Sequence, residues 1–330
     1  MAHEPKLEVY KIYLRPTPTT SDKTFGSFLN KKHPGVSPAK GYKALFQDMI
    51  TSLDTDFIVN DFSKKGLSLD DTNPSTAAKS LTLKSSDHII SGKIKGGRFG
   101  QKRSIGDIKR PKKVHTSLSV NNIVLDTFYF LLYTPLGSNK GVLIIQSYSE
   151  DQINDVSISW LKSVFKTDGF YQPHFESYCP VRIQREFKER SAVKELKFTN
   201  DVLVSDIDSS QTISNESVTV TITIRAKNEG EKLSKLAEFR KLVGKIRFGN
   251  KKNPMTLDEF KVQTGLLYNG SHQSSFELGG ALDIKPTIYL RDKIRLQPDG
   301  TPEWESLDKF CLELLDEIKP EVYPENHEIS

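Results

Sequence analysis

The chain has 330 residues, 36% hydrophobic and 27% charged, with a net charge of +5; this balance excludes global disorder and leaves room for two domains. Its two cysteines, Cys179 and Cys311, stand far apart without a CxxC pattern, so neither a disulfide scaffold nor a cysteine zinc site is expected, and a reducing, cytoplasmic setting follows. The first residues lack the features of a signal peptide, and the most apolar stretch, residues 123–146, is broken by Asp126 and by the turn from Pro135 to Gly141, so no membrane span is expected.

In chain order, a strand is expected over residues 6–15, where Leu7, Val9, Tyr10, Ile12 and Leu14 precede Arg15-Pro16. Ser37-Pro38 has the form of a cap followed by proline in the first turn. Tyr42, Leu45, Phe46, Met49, Ile50 and Leu53 then recur at spacings of three and four, which predicts a helix with one apolar face. A short strand is expected over 57–62, and 64–91 is polar with weak alternation. Residues 123–133 and 141–148 form an apolar hairpin around a Gly/Asn turn. Ser149 and Gln152 have capping-box spacing ahead of a helical stripe of Ile153, Val156, Trp160, Leu161, Val164 and Phe165. Between Lys166 and Pro180, glycine, proline and aromatic residues replace the periodic pattern. The domain boundary is expected there, with an N-terminal α+β domain over 1–168 and a C-terminal domain over 169–330.

The second half opens with strand-like segments over 181–187 and 193–198. Residues 218–224, Val-Thr-Val-Thr-Ile-Thr-Ile, alternate strictly, as a half-buried strand does. Leu233, Leu236, Phe239, Leu242 and Val243 suggest a helix ended by Gly244, and a β region spans 276–296. A terminal helix is expected over 302–319, with Thr301 as cap, Pro302 in the first turn and Pro320 as stop. Its stripe of Trp304, Leu307, Cys311, Leu314 and Ile318 suits either a core-facing helix or one that pairs across a homodimer. The fold class is therefore α+β, a mixed N-terminal domain followed by a β-rich one closed by a terminal helix.

Two segments carry nearly the same basic phrase, Arg98-Phe99-Gly100-Gln101-Lys102-Arg103 and Arg247-Phe248-Gly249-Asn250-Lys251-Lys252. The first lies in a basic loop, residues 91–115, whose nine cations are Lys93, Lys95, Arg98, Lys102, Arg103, Lys109, Arg110, Lys112 and Lys113, against the single acid Asp107. That local excess of eight exceeds the net charge of the chain, so basicity is concentrated. Residues 240–252 form a second island, with Arg240, Lys241, Lys245, Arg247, Lys251 and Lys252 and no acid. Cations beside an aromatic and a glycine suit a phosphate backbone, with Phe99 and Phe248 stacking or supporting the loops. The flanking patterns differ, so the echo is not an internal repeat; it reads as two loops facing one polyanion. No recognition-helix, zinc-finger or RNP pattern is present, so binding directed at the backbone, of DNA or alternatively RNA, is expected.

Other chemistry is less well supported. Nucleotide binding is disfavoured, because Gly96-Gly97 and Gly279-Gly280 lack the Walker spacing and read as turns. Glu195-Leu196-Lys197 matches the Glu-x-Lys half of a metal-dependent nuclease, with Glu195 and Lys197 on one strand face with Val193 and an upstream acid at Asp168 or Glu176. This is the alternative reading; a scaffold for an acidic protein partner is a third. His174, Glu176 and Cys179 cluster in sequence without further ligands, and no metal or cofactor is expected.

The apolar hairpin over 128–133 and 141–147 running into a helix, the β-rich back half and the terminal helix over 304–318 together resemble the RexA-like phage-exclusion proteins and other bacterial defence proteins of similar size. The resemblance implies a cytoplasmic, dimeric DNA-binding protein of antiviral defence, non-enzymatic or poorly enzymatic, with no functional position carried over.

Overall fold

The computed structural model describes residues 4–54, 56–70, 80–107, 109, 116–190, 192–203, 217–225, 245–248, 255–268, 273–277 and 287–324. The chain divides into two compact units, Met1–Tyr178 with Ile288–Ser330, and Cys179–Thr287. The first contains β1 (Pro5–Pro16), α1 (Phe25–Lys32), α2 (Pro38–Asp54), β2 (Ile58–Asn60), β3 (Lys65–Leu69), β4 (Leu81–Lys84), β5 (Ile89–Arg98), β6 (Arg103–Ile105), β7 (Thr116–Leu118), β8 (Val124–Tyr133), β9 (Lys140–Tyr148), α3 (Asn154–Val164) and β10 (Phe170–Tyr178). The second holds α4 (Val181–Arg190), β11 (Ala192–Leu203), β12 (Ser217–Arg225), β13 (Arg247–Phe248), β14 (Met255–Thr256), β15 (Val262–Tyr268) and β16 (Gln273–Glu277). β17 (Ile288–Tyr289) and α5 (Trp304–Val322) then belong again to the first. The α+β class holds, and no described helix is long and apolar enough to cross a membrane.

Nine antiparallel strands form the main sheet in the order β10-β1-β9-β8-β5-β3-β2, with β17 beside β1 and β4 beside β5. On β8 the two-residue period sends Phe128, Phe130 and Leu132 to one face and Tyr129 and Leu131 to the other, and all five are fully buried. A continuous apolar run is what a central strand covered on both faces requires. On the first face Phe25, Phe28, Tyr42, Leu45, Met49, Trp160 and Phe165 from α1, α2 and the α3 region share one core with the strands. The Trp160 Nε1–H donates to Ser52 Oγ at 2.9 Å, so the indole is buried without an orphaned donor. On the second face lies α5, its buried stripe made of Leu307, Cys311, Leu314, Leu315, Ile318 and Val322. That stripe packs within its own subunit, on β8 and β9, and is not a free surface for a second copy.

Glycines let the sheet close around β5. A Cβ on Gly97 would stand 1.6 Å from the Val124 carbonyl oxygen, and one on Gly96 would stand 2.8 Å from Ile153 Cγ2. Gly96-Gly97 is therefore strand interior approached closely by its neighbours, not the turn read from sequence. For the same reason residues 91–98 are not part of a loop. They pair with β8 along their whole length and with β3 and β4 on the other side.

Several sequence expectations are corrected. The first unit does not end at residue 168, because β10 continues the sheet beside β1, with Pro173 lying where the register shifts on this edge strand. Nor does the terminal helix close the second unit, since α5 covers the first. The segment from Val181 to Phe187 is helical: Ile183 and Phe187 are buried four apart, and Arg182 donates to Glu186 at 2.8 Å across one turn. The proposed cap of α3 is absent: the Ser149 N–H is bound to the Glu4 carbonyl just ahead of the first strand, and the helix starts at Asn154 with Ile153 as an N-cap that makes no side-chain bond. Thr301 donates its hydroxyl to Asp299 at 2.7 Å, leaving Glu303 as the N-cap of α5. Pro320 does not stop that helix. Burial of Val322 and Tyr323, whose hydroxyl donates to the Lys140 carbonyl at 2.9 Å, carries it one turn further.

The second unit has a four-stranded antiparallel sheet in the order β12-β11-β15-β16 and a small hairpin, β13-β14. Phe187, Val193, Leu196, Phe198, Leu257, Phe260 and Leu267 make its core, against which Val220, Ile222 and Ile224 pack. The alternation read in residues 218–224 is thus that of a half-buried strand. The expected helix over 233–243 and Gly279-Gly280 lie outside the described residues, as does much of the expected β region.

If close approach at β5 is essential, Gly97→Ala should lower stability by about 3 kcal/mol or more and the melting temperature by roughly 5 °C or more. Gly137→Ala, where nothing lies within 4 Å of the added carbon, should melt like the parent; equal melting of the two variants would refute the argument.

A second expectation concerns acid. Burial alone would raise the Asp155 carboxyl, but the Lys65 ammonium at 2.9 Å, helped by the Ser63 hydroxyl and the Val156 N–H, holds the group below the ordinary aspartate range. A depressed carboxylate contributes stability above its unfolded value of 3.8, and that contribution is lost as pH falls through the folded value. Lys65→Met should therefore flatten the loss of stability between about pH 5 and pH 2, measured by urea unfolding across pH.

Candidate nucleic-acid interface

The strand period deals the first basic island to different surfaces. Lys93 and Lys95 project to the α5 side of β5. There the Lys93 ammonium stands 4.7 Å from the Trp304 ring centroid, and Lys95 pairs with Asp70 at 3.7 Å. Arg98, at the end of the strand, donates to the Glu150 carbonyl at 3.2 Å and lies 3.6 Å from Asp151. These contacts fix the arginine without burying it, and it remains exposed.

Beyond Arg98 the chain leaves the sheet. The Phe99 N–H donates to the Lys64 carbonyl at 3.0 Å, and Gly100, at φ +89°, donates to the Val120 carbonyl at 2.9 Å. These bonds pin the base of the segment that follows, and the positive φ is one that glycine adopts at low cost. The segment is a two-stranded ribbon. β6 pairs with β7 in the register Arg103↔Leu118, Ser104↔Ser117 and Ile105↔Thr116. All three residues of β6 are exposed and none of β7 is buried. Lys102, Arg103 and Lys109 are exposed, with Arg103 held by the Gln101 side chain at 2.9 Å. Arg110, Lys112 and Lys113 lie outside the described residues; in sequence they belong to the connection between β6 and β7.

Two groups missed in the sequence reading adjoin this ribbon. The turn between β2 and β3 is held by Asn60, whose side-chain oxygen accepts from the N–H groups of Phe62 and Ser63, each at 3.1 Å. That turn leaves Phe62 fully exposed, at 100%, and brings Lys64 to 5.5 Å from the Phe99 ring centroid. Lys65 pairs with Arg98 across β3 and β5, so the turn and the base of the ribbon are neighbours. The sequence signal was an aromatic inside the turn-forming stretch Asn60-Asp61-Phe62-Ser63. Phe99, by contrast, is half-buried beneath Lys64 and is a support, not a free stacking surface.

The second island belongs to the other unit. Arg247 and Phe248 form β13, paired with Thr256 and Met255 of β14. Lys245 and Arg247 are exposed; Arg240, Lys251 and Lys252 lie outside the described residues. The two Arg-Phe phrases thus occupy unrelated settings, one at the end of a ten-residue central strand and the other in a two-residue strand of a small hairpin.

The alternative site at Glu195 and Lys197 is organised differently from its sequence expectation. A register shift between Val193 and Glu195 puts Val193 into the core and leaves Lys197 on the exposed face. Glu195 accepts from Arg225 Nε at 2.6 Å across the strand pair. Asp168 and Glu176 belong to the first unit, where the Glu176 carboxylate acts on Tyr13 and the His174 ring stacks on Tyr13 at 6.2 Å. Cys179 is buried. Among the described residues no group of three or more His, Cys, Asp or Glu side chains could hold a metal ion.

Comparison with family models, with curated proteins and with solved structures finds no match. The functional reading consequently rests on the geometry of the molecule.

As a cross-strand partner of an exposed arginine, Glu195 should matter modestly for stability and not for cleavage. Glu195→Ala is expected to cost about 0.5 kcal/mol, and incubation of parent and variant with plasmid DNA and Mg²⁺ or Mn²⁺ should give the same result. Cleavage by the parent that vanishes in a folded variant would establish the nuclease reading.

Proposed function

We propose that the protein binds nucleic acid, DNA foremost, through the β6–β7 ribbon and the sheet end at its base. The observation that carries this reading is a solvent-exposed two-stranded ribbon with cations at its base and further cations in its connecting sequence. A ribbon of this width suits a DNA groove, and its cations suit the phosphates on either side. In this reading Arg98, Lys102, Arg103 and Lys64 contact phosphates, and Phe62 supplies the face on which an unpaired base stacks. Such a surface offers few side chains for base edges, which supports binding with weak sequence preference. A cytoplasmic place in bacterial antiviral defence belongs to this proposal through the resemblance to phage-exclusion proteins.

Fluorescence anisotropy with labelled duplex and single-stranded DNA across a salt series tests the reading. Affinity should fall steeply with salt for both. Lys102→Ala with Arg103→Ala should weaken all duplex sequences alike and lower the salt slope by roughly 0.9 per lost phosphate contact. Phe62→Ala should weaken single-stranded DNA by about 1 kcal/mol or more and duplex DNA far less. If neither DNA binds at low salt, the proposal fails.

A further inference from the structure

A cleft on the α5 side of the sheet has a construction of its own. The β8–β9 ladder runs from Tyr133↔Val142 to Phe130↔Ile145 and stops there. Both strands nevertheless continue, β8 back to Val124 along β5 and β9 on to Tyr148 along β1. Where they part, the Gln146 side chain stands in for the missing ladder, its Oε1 accepting from the Tyr129 N–H at 3.0 Å. The opening is a cleft of about 380 Å³, walled by these strands and by the start of α5. Its size falls within the range of small-molecule sites.

The polar groups of the cleft are unequally satisfied. Gln146 is only 2% exposed, and its Nε2 has no hydrogen-bond partner. The Tyr148 phenol is near enough for this amide to favour its ionised form, though burial dominates and raises the phenol overall. Among the described residues Lys93 has no carboxylate partner; its ammonium is placed against Trp304. The N-terminus of α5 adds no demand of its own, since Glu303 at the cap and Glu305 in the first turn offset its partial positive charge. The acids are provided for. Asp70 accepts from Thr127 at 3.1 Å and pairs with Lys95 at 3.7 Å, and Asp126 has a partner of its own. Surplus donors at Lys93 and Gln146 beside engaged carboxylates call for a ligand with an anionic group and with hydroxyls, and Trp304, whose ring meets Tyr129 at 5.1 Å but is only half-buried, offers a flat ring its remaining surface.

A second hollow, about 550 Å³, shares Asp70, Lys93 and Trp304 with the first. Its polar side chains are paired with one another: Asp308 accepts from Tyr129 at 2.8 Å and from Ser91 at 3.5 Å, and lies 3.9 Å from Lys84. The unfilled demand therefore sits in the first cleft.

We infer that the cleft where β8 and β9 part binds a nucleoside monophosphate, with phosphate on Lys93 and the Gln146 amide, base against Trp304 and ribose hydroxyls toward Asp70 and Asp126. No glycine-rich phosphate loop announces it in the sequence. The site is assembled from three strands and a helix distant in the chain, and it stands independently of the nucleic-acid surface at the end of β5.

Isothermal titration calorimetry of the full-length chain with 5′-AMP tests the inference. One site with a Kd of roughly 10 to 500 μM is expected. Adenosine and inorganic phosphate should each bind about tenfold more weakly or less, because each keeps only part of the contacts. Lys93→Met should lower AMP affinity about tenfold while Lys93→Arg keeps it within a few-fold, since the charge is retained. Gln146→Leu and Trp304→Leu should weaken it too, with circular dichroism establishing that each variant is folded. No heat at millimolar AMP overturns the inference, as does unchanged affinity in folded Lys93→Met. Phosphate binding as tightly as AMP overturns it in favour of a plain anion site. If Lys93→Met does not fold, Trp304→Leu carries the same decision.

Discussion

The pairing of β5 with β8 is the constraint on which the first unit depends. It runs from Ile89↔Tyr133 to Arg98↔Val124 at the middle of a nine-stranded sheet, and it needs a backbone without side chains at Gly97, where the Val124 carbonyl would otherwise meet a carbon at 1.6 Å. With that contact made, β8 presents aromatic and aliphatic side chains to both faces, and helices can bury each of them. Hydrophobic burial on two faces then supplies most of the favourable free energy. The rigid centre so formed determines where the chain must exit as β5 ends and where it re-enters as β8 begins.

Both proposed sites are consequences of that centre. The excursion between β5 and β8 has no room in the sheet, so it becomes an exposed ribbon whose base is stitched to Lys64 and Val120. Farther along the same strand, alternation turns Lys93 away from the helical core toward α5, where β8 and β9 have separated. One basic segment thus serves two surfaces. A composition that looked uniform in sequence is divided by the period of the strand, and the side chains at even and odd positions have different partners.

Much of the framework was legible in the chain. The helix of Pro38 to Asp54, the apolar hairpin of β8 and β9 and the alternation of β12 follow from local periodicity, which tertiary structure reinforces. Other elements depended on distant partners. β10 looked like a junction because it follows Gly169 and is dominated by aromatic residues around Pro173, yet an edge strand tolerates that proline where its register shifts. Val181 to Phe187 alternates as well as it repeats at four, and only the burial of Ile183 with Phe187 decides for a helix. At the interface, the cations were evident from composition and Phe62 was not, because its exposure is produced by an Asn60 turn. The cleft was illegible for a plainer reason: Lys93, Gln146 and Trp304 are brought together solely by the sheet and by a helix from the far end of the chain.

The first unit is assembled from both ends of the chain, and this has a bearing on how the protein is made. During synthesis β1 to β10 leave the ribosome first, while α5, the cover of Tyr129, Leu131 and their neighbours, follows only after the entire second unit. A broad apolar sheet face therefore stays bare through the later part of translation. Nascent chains in that condition are prone to associate with one another. The closing helix acts as a late latch on that face, in place only once the second unit has been made.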